Sequence, residues 1–167
     1  MYRTLSVFVE DRPGVLARVS SLLARRGFNI RSLAVGPSHD EGMSKMTIVV
    51  EAPELEQVKK QLHKLINVVK ITELEPDRSL EREIMLVRVS APPGKRSDVL
   101  EIANIFKAIP VDVGHNTMCF QVSGDPGKIN DFLELLRPFG VTDLAKSGRI
   151  ALAREIKGKE ARLRSVN

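Results

Sequence analysis

Apolar and polar residues alternate in the first segment of the chain and then switch to a helical period. Leu5, Val7 and Val9 share one parity, as a β-strand with one buried face requires. After a polar break, apolar residues recur at helical spacing: Val15, Leu16, Val19, Leu22 and Leu23. The break contains Pro13 and Gly14, and Pro13 suits the first helical position because its missing N–H needs no partner there. The pattern predicts a strand that ends at an open helix N-terminus.

An open helix N-terminus favours anions, because its first N–H groups lack partners and the positive end of the helix dipole lies there. We expect the backbone N–H groups of this first turn, exposed beside Gly14, to suit a small carboxylate. Asp11 and Asn29 suit an ammonium group, so the set describes an amino acid. The same residues are also ordinary punctuation before a helix, and most such turns bind nothing. The local pattern leaves both interpretations open.

The rest of the pattern completes a β-α-β-β-α-β order, and the second half of the chain repeats it. In the first half, the apolar phase slips between Ile30 and Leu33, which predicts a β-bulge. A second amphipathic helix is predicted from Leu55 through Ile66. Two such units predict an α+β protein with two tandem ferredoxin-like domains, each an antiparallel sheet with two helices on one face.

A polar segment interrupted by Pro76 separates the repeats. The predicted domains therefore span residues 1–76 and 80–154, followed by a basic tail at 155–167. Each domain is small for an isolated core, and its uncovered sheet face and edges invite pairing. We expect a two-fold homodimer whose sheets join edge to edge.

Composition and charge narrow the classes of function. Aromatic residues make up 4% of the chain and Trp is absent, which argues against nucleic-acid binding by base stacking. Of the net charge of +5, residues 154–167 contribute +3, from five Lys/Arg and two acids. Such a tail can touch phosphates or an acidic partner, although a solvated terminus is the simpler interpretation. One cysteine, and no pattern of a signal peptide or membrane span, predict a cytoplasmic protein.

Catalytic patterns are scarce. His39, His63 and His115 are scattered, and no nucleophile elbow, phosphate loop or dinucleotide fingerprint occurs. His115 and Cys119 share a strand parity, but two ligands are too few for a structural zinc site. We expect a hairpin histidine and a buried thiol there, no metal site, and no independent enzyme.

Several segments together resemble a known family. Residues 9–19 (VEDRPGVLARV) resemble the opening of ACT domains, which are amino-acid-sensing βαββαβ modules. The likeness to the small regulatory subunit of acetolactate (acetohydroxyacid) synthase is carried by 26–30, 44–49, 60–68 and 81–87. Residues 105–107, 111–113 and 145–149 resemble the C-terminal domain of that subunit.

The resemblance implies a regulatory role in branched-chain amino-acid biosynthesis. In that family the small subunit holds no active site. It binds the thiamine-diphosphate-dependent catalytic subunit, raises its activity and confers feedback inhibition by valine or a related amino acid. No cofactor is then expected in this chain, while thiamine diphosphate, Mg and FAD are expected in the catalytic partner.

The resemblance also implies an effector site at the interface of two N-terminal domains. Backbone N–H groups of Gly14, Val15 and Leu16 would hold the effector carboxylate, and Asn29 from the second copy would take the ammonium. Related subunits often carry Asn where this chain has Asp11, whose added charge would help an ammonium but repel a carboxylate. Ile30 and Val35 are candidates for the apolar pocket and equally for the core.

Two other classes remain. The first is a free-standing ACT-type amino-acid sensor or transcriptional regulator, although no helix-turn-helix pattern or basic recognition helix is present. The second is an independent enzyme, which the sparse catalytic patterns disfavour.

Overall fold

The computed structural model describes residues 2–155, in which nine strands and four helices follow one another. The strands are β1 Tyr2–Glu10, β2 Asn29–Pro37, β3 Met43–Glu51, β4 Val68–Leu74, β5 Ser79–Ser90, β6 Ile109–Val113, β7 Thr117–Gly124, β8 Val141–Lys146 and β9 Ile150–Ala153. The helices are α1 Val15–Arg25, α2 Leu55–Leu62, α3 Arg96–Ile105 and α4 Pro126–Leu136. Short 3-10 turns follow β4 and α4, at Pro76–Arg78 and Arg137–Phe139.

The two halves have the same topology. The first sheet has the order β2-β3-β1-β4 and the second the order β6-β7-β5-β8, with antiparallel pairing throughout. Two tandem ferredoxin-like α+β domains are therefore confirmed. The second half adds β9, which pairs with Ser79–Arg82 at the start of β5. Strand β5 thus begins in a β5–β9 ribbon and continues into the centre of the second sheet.

The first core is aliphatic and lies between the sheet and helices α1 and α2. Leu5, Val7 and Val9 face it from β1, as their parity predicts. The pairing of β2 with β3 shifts between Ile30 and Ser32, so a bulge allows both Ile30 and Leu33 to pack against this core. The slipped apolar phase is thereby explained.

The second core is a separate cluster with aromatic residues at its centre. Phe132 of α4 is fully buried, with its ring centroid 5.3 Å from that of Phe106 and 6.4 Å from that of Phe120. Both partners come from the same domain, so the two domains have independent apolar interiors.

Two local predictions were wrong. Helix α2 ends at Leu62, and Ile66 lies in a turn with 89% of its surface exposed. Backbone N–H groups of Leu65 and Val68 close successive turns there instead of continuing the helix. The thiol of Cys119 is half-buried, because this residue pairs with Arg88 on the sheet face that lies opposite the helices.

The outer face of the first sheet is covered by the second domain. Thr4 and Val49 face away from the first core, yet their exposed fractions are 6% and 1%. The β5–β9 ribbon lies over this face, with Thr4 Oγ1 donating to Glu81 Oε1 at 2.9 Å. Beside this contact a cleft of about 510 Å³ separates β2 from the apolar side chains of the ribbon. The domains therefore meet through a sheet face and a ribbon.

Candidate functional site

The connection from β1 to α1 is a tight turn that requires glycine. The N–H of Val15 donates to the carbonyl of Arg12 at 3.3 Å across Pro13 and Gly14. Gly14 has φ 84° and ψ −5°, the values of the second central position in a type II turn. Pro13 therefore precedes the helix cap and does not occupy the first helical position, which corrects that prediction.

The N-terminus of α1 is open to solvent. Gly14 caps the helix without a side-chain hydrogen bond, and the first turn contains no acidic residue. Among residues 2–155, the backbone N–H groups of Gly14, Leu16 and Ala17 have no acceptor. Apart from Gly14 and its chain neighbours, no atom of residues 2–155 lies within 4 Å of the position that a Cβ on Gly14 would take. The turn therefore offers unpaired donors and positive helix-dipole potential to an approaching anion.

A polar network holds this turn against the rest of the domain. Asn67, which has 8% of its surface exposed, donates through Nδ2 to Glu10 at 3.0 Å and accepts from Arg18 at 2.8 Å. Arg12 pairs with the same Glu10 carboxylate at 2.9 Å. Sequence reasoning assigned no role to Asn67, because its partners lie more than forty residues away in the chain. The network places two guanidinium groups beside the open helix end.

The two residues predicted to receive an ammonium group lie far apart in one chain. Asp11 is exposed, and its N–H donates to Gly42 in the loop between β2 and β3. Asn29 is also exposed, but it pairs with Glu51 at the opposite end of the sheet. Since eight residue-to-residue steps along β1 separate these ends, the separation is about 26 Å. A single copy therefore does not bring Asp11 and Asn29 to one ligand.

The apolar candidates differ in their surroundings. Val15 is buried and Ile30 packs against the first core. Leu16 and Val35 leave 43% and 44% of their surfaces exposed, and Val35 lines the cleft beside the ribbon. Leu16 is the apolar candidate that lies at the helix end itself.

Strand β2, which begins with Asn29, forms an edge of the first sheet. Its pairing partner is β3, and within residues 2–155 its other edge is unpaired. An unpaired edge offers a row of backbone donors and acceptors to another strand.

No group of three or more His, Cys, Asp or Glu side chains is placed to hold a metal ion within residues 2–155. No helix in the same range is long and apolar enough to cross a membrane.

Comparisons with known proteins agree over nearly the whole chain. Residues 5–70 match the family described as the AHAS small subunit-like ACT domain, and residues 82–155 match the small subunit of acetolactate synthase. The chain is 53% identical over 157 residues to the acetolactate synthase small subunit of Mycobacterium leprae, covering 93% of each. It is 47% identical over 156 residues to the probable small subunit of Archaeoglobus fulgidus, covering 92% of this chain and 98% of that protein.

A solved structure gives the same answer for the fold. The crystal structure of the acetolactate synthase small subunit from Thermotoga maritima matches with a TM-score of 0.86 and 32% sequence identity. The match covers 94% of this chain and 99% of the other. The sequence relatives, the two family matches and this structure together show that the chain belongs to the family of acetolactate synthase small subunits, with an N-terminal ACT domain.

Proposed function

We propose that this chain is a non-catalytic regulatory subunit that binds and activates the catalytic subunit of acetolactate synthase. It also confers feedback inhibition by valine or a related branched-chain amino acid. The catalytic partner supplies thiamine diphosphate, Mg and FAD, and this chain contributes regulation in the cytoplasm. Support for the partner comes from the family, whose members are named as the small subunit of that enzyme.

The observation that carries the effector site is the open N-terminus of α1. The unpaired N–H groups of Leu16 and Ala17, in a turn that Gly14 keeps free of side-chain bulk, suit the carboxylate of an amino acid. The exposed Leu16 side chain offers apolar surface beside them. A branched-chain amino acid combines these two chemistries.

The ammonium partner comes from a second copy. Two β2 edges that pair antiparallel about a two-fold axis bring the start of one strand opposite the end of the other. The end of β2, at Pro37, lies at the same end of the sheet as Asp11. Asn29 of the second copy then lies beside the helix N-terminus. Asn29 of the same chain is about 26 Å away from it. The homodimer is therefore part of the proposed site.

Asp11 tunes this site. Its negative charge strengthens the attraction for an ammonium group and weakens that for a carboxylate. An Asn at this position would add an amide donor and remove the charge. Comparing Asp11→Asn with the natural chain therefore measures how much effector sensitivity the carboxylate takes away.

The free energies required are modest. An effector with a dissociation constant between micromolar and millimolar binds with about 4–8 kcal/mol. Regulation requires a difference in affinity between two states, of about 1–3 kcal/mol in typical allosteric systems. A ligand of this strength can therefore bias the geometry with which two N-terminal domains pair.

The test is calorimetric titration of the purified protein with valine, leucine and isoleucine. We expect saturable binding near one ligand per chain, lost in Asn29→Ala. The matched control is Asn104→Ala, which removes an exposed Asn of the second domain. Binding unaffected by Asn29→Ala would contradict the shared site.

Reconstitution with an acetolactate synthase catalytic subunit tests the other half of the proposal. We expect the catalytic rate to rise on addition of this chain and to become sensitive to the effector. No change in rate at saturating concentrations of this chain would contradict an activating subunit.

A further inference from the structure

The loop between β8 and β9 is seated directly on β2 of the other domain. Gly148 in this loop has φ +81°, a conformation that side chains rarely adopt. A Cβ at this position would lie 2.7 Å from the carbonyl oxygen of Leu33 and 3.4 Å from Ser32 Oγ. The close approach of the two backbones therefore depends on glycine.

Hydrogen bonds fix the same loop to the first sheet. The backbone N–H of Arg149 donates to Ser32 Oγ at 2.8 Å. The guanidinium of Arg149 pairs with Glu81 at 3.1 Å, and Thr4 of β1 donates to the other oxygen of that carboxylate. The Glu81 and Arg149 side chains are 12% and 24% exposed, so this pair is shielded from water. We call the contact of residues 147–149 and Glu81 with Thr4 and Ser32 the domain clasp.

The clasp joins the strand that begins with Asn29 to the central strand of the second sheet. On one side, Ser32 lies in β2 immediately after its bulge and three residues after Asn29. On the other side, Glu81 lies in the β5–β9 ribbon, and β5 continues into the centre of the second sheet. Direct contacts therefore connect β2 to the strand that runs into the centre of the second sheet.

We propose that the domain clasp transmits effector binding from β2 to the C-terminal domain, with Gly148 and Ser32 as its positioning residues. This inference rests on the proposed function, because it assumes that the effector engages Asn29. The two states are the seated and unseated positions of loop 147–149 on β2. Packed interfaces of this kind shift between discrete arrangements, which is how small displacements become large ones. The effector acts by binding one of these states better than the other.

Two variants loosen the clasp in different ways. Gly148→Ala places a methyl group against the Leu33 carbonyl, whereas Ser32→Ala removes the acceptor for the Arg149 N–H with little change in volume. The matched control is Gly140→Ala, which also has a positive φ (+95°) but whose nearest contact for a Cβ is Ser90 of its own domain at 3.7 Å. Both Gly→Ala changes thus introduce backbone strain, but Gly148→Ala also clashes with the other domain.

The first measurement is thermal unfolding of the full chain, which needs no effector. We expect the wild type and Gly140→Ala to unfold in one cooperative transition and Gly148→Ala to unfold in two. A single transition in Gly148→Ala, at the temperature of Gly140→Ala, would show that the clasp does not couple the domains and would overturn the inference.

The second measurement compares valine binding with inhibition of the reconstituted holoenzyme. We expect both clasp variants to retain saturable valine binding near one ligand per chain. In these variants we expect the valine concentration for half-inhibition to rise at least about tenfold, which corresponds to about 1.4 kcal/mol of lost coupling. Inhibition unchanged in both clasp variants would overturn the inference. Valine that fails to bind the wild type would instead contradict the proposed function, and the unfolding measurement still decides whether the clasp couples the domains.

Discussion

The two halves of the chain share a backbone frame but differ in the turn from first strand to first helix. In both halves, the N–H of the last residue of the first strand donates to the carbonyl of the residue that precedes the fourth strand. These bonds run from Glu10 to Asn67 and from Ser90 to Gly140. In both halves, the N–H of the next residue donates to a carbonyl in the loop between the second and third strands. Both turns contain a Pro-Gly pair, but the buried Asn67 lies beside the first turn, while Gly140 takes that place beside the second.

In the second half a side chain ties the turn to the loop between β6 and β7. Arg96 donates to the carbonyls of Ala91, Gly114 and His115, with distances of 2.7–3.4 Å. Asp98 supplies an acidic group to the first turn of α3, which α1 lacks. The two turns therefore differ in the charged side chains beside them, although α3, like α1, begins without a side-chain cap. One fold offers the same position twice, and local side chains give the two positions different surroundings.

The largest effect that we expect is a loss of stability from a change in the second core alone. Phe132→Ala should lower the free energy of unfolding by about 3–5 kcal/mol, because the ring is fully buried between two other aromatic rings. Urea denaturation measures the loss, with Ile105→Ala at a 71% exposed position as the control. Since the cores are separate, valine affinity should stay within about threefold of the wild type. Loss of valine binding in a folded Phe132→Ala protein would show that the cores are coupled.

The next effect distinguishes the two turns directly. Gly14→Asp places a carboxylate at the open end of α1, where it competes with the effector for the same donors. We expect valine affinity to fall at least about 100-fold, or about 2.7 kcal/mol, while activation of the catalytic subunit persists. Gly94→Asp, at the corresponding glycine of the second half, serves as the control and should leave affinity unchanged. Full valine sensitivity in Gly14→Asp would refute the site.

Removing the side chain that holds the second turn should have a smaller effect, on the free energy of unfolding. Arg96→Met removes the guanidinium hydrogen bonds to three carbonyls while retaining much of the aliphatic volume. We expect a loss of about 1–2 kcal/mol in unfolding free energy, because charged hydrogen bonds at a half-buried site are partly replaced by water. Denaturant titration checks the value. An unchanged midpoint of unfolding would mean that the hydrogen bonds of the Arg96 guanidinium do not stabilise this turn.

The smallest effect concerns the helix caps. Asp125 caps α4 by accepting from the Lys128 N–H at 3.0 Å, and this bond lowers the pKa of its carboxyl below 3.8. Asp125→Ala should destabilise the protein by about 1 kcal/mol at pH 7. Since the folded-state pKa is lowered, the contribution exists above pH 3.8 and is lost as the pH falls through the folded-state pKa. Urea midpoints at pH 7 and pH 3 measure this, with Asp131→Ala on the same helix as the control. A difference between Asp125→Ala and wild type that does not shrink at pH 3 would contradict the assignment.

Periodicity predicted the elements well where one face is buried. The parity of Leu5 and Val7 placed β1, and the slipped phase after Ile30 located the bulge. It failed at Ile66, where a helical spacing of apolar residues continued past the real end of α2. Spacing alone does not distinguish a last helical turn from a turn that exposes its apolar residue.

The candidate site was predictable in its local part. Pro13 and Gly14 signalled both the turn and the open helix end that follows it. The network around Asn67 and the seat of Gly148 on β2 were not predictable, because both join residues remote in the chain. The basic tail predicted at 155–167 lies, beyond Glu155, outside the described residues, and its role stays a prediction.

The sequence by itself determined the order of elements, the β2 bulge and the glycine turn before α1. These follow from side-chain period and backbone freedom, which are local properties. The tertiary structure alone decided that Asp11 and Asn29 lie at opposite ends of one sheet and that the second domain covers its outer face. Those facts depend on strand order and domain packing, which arise from contacts between residues remote in sequence.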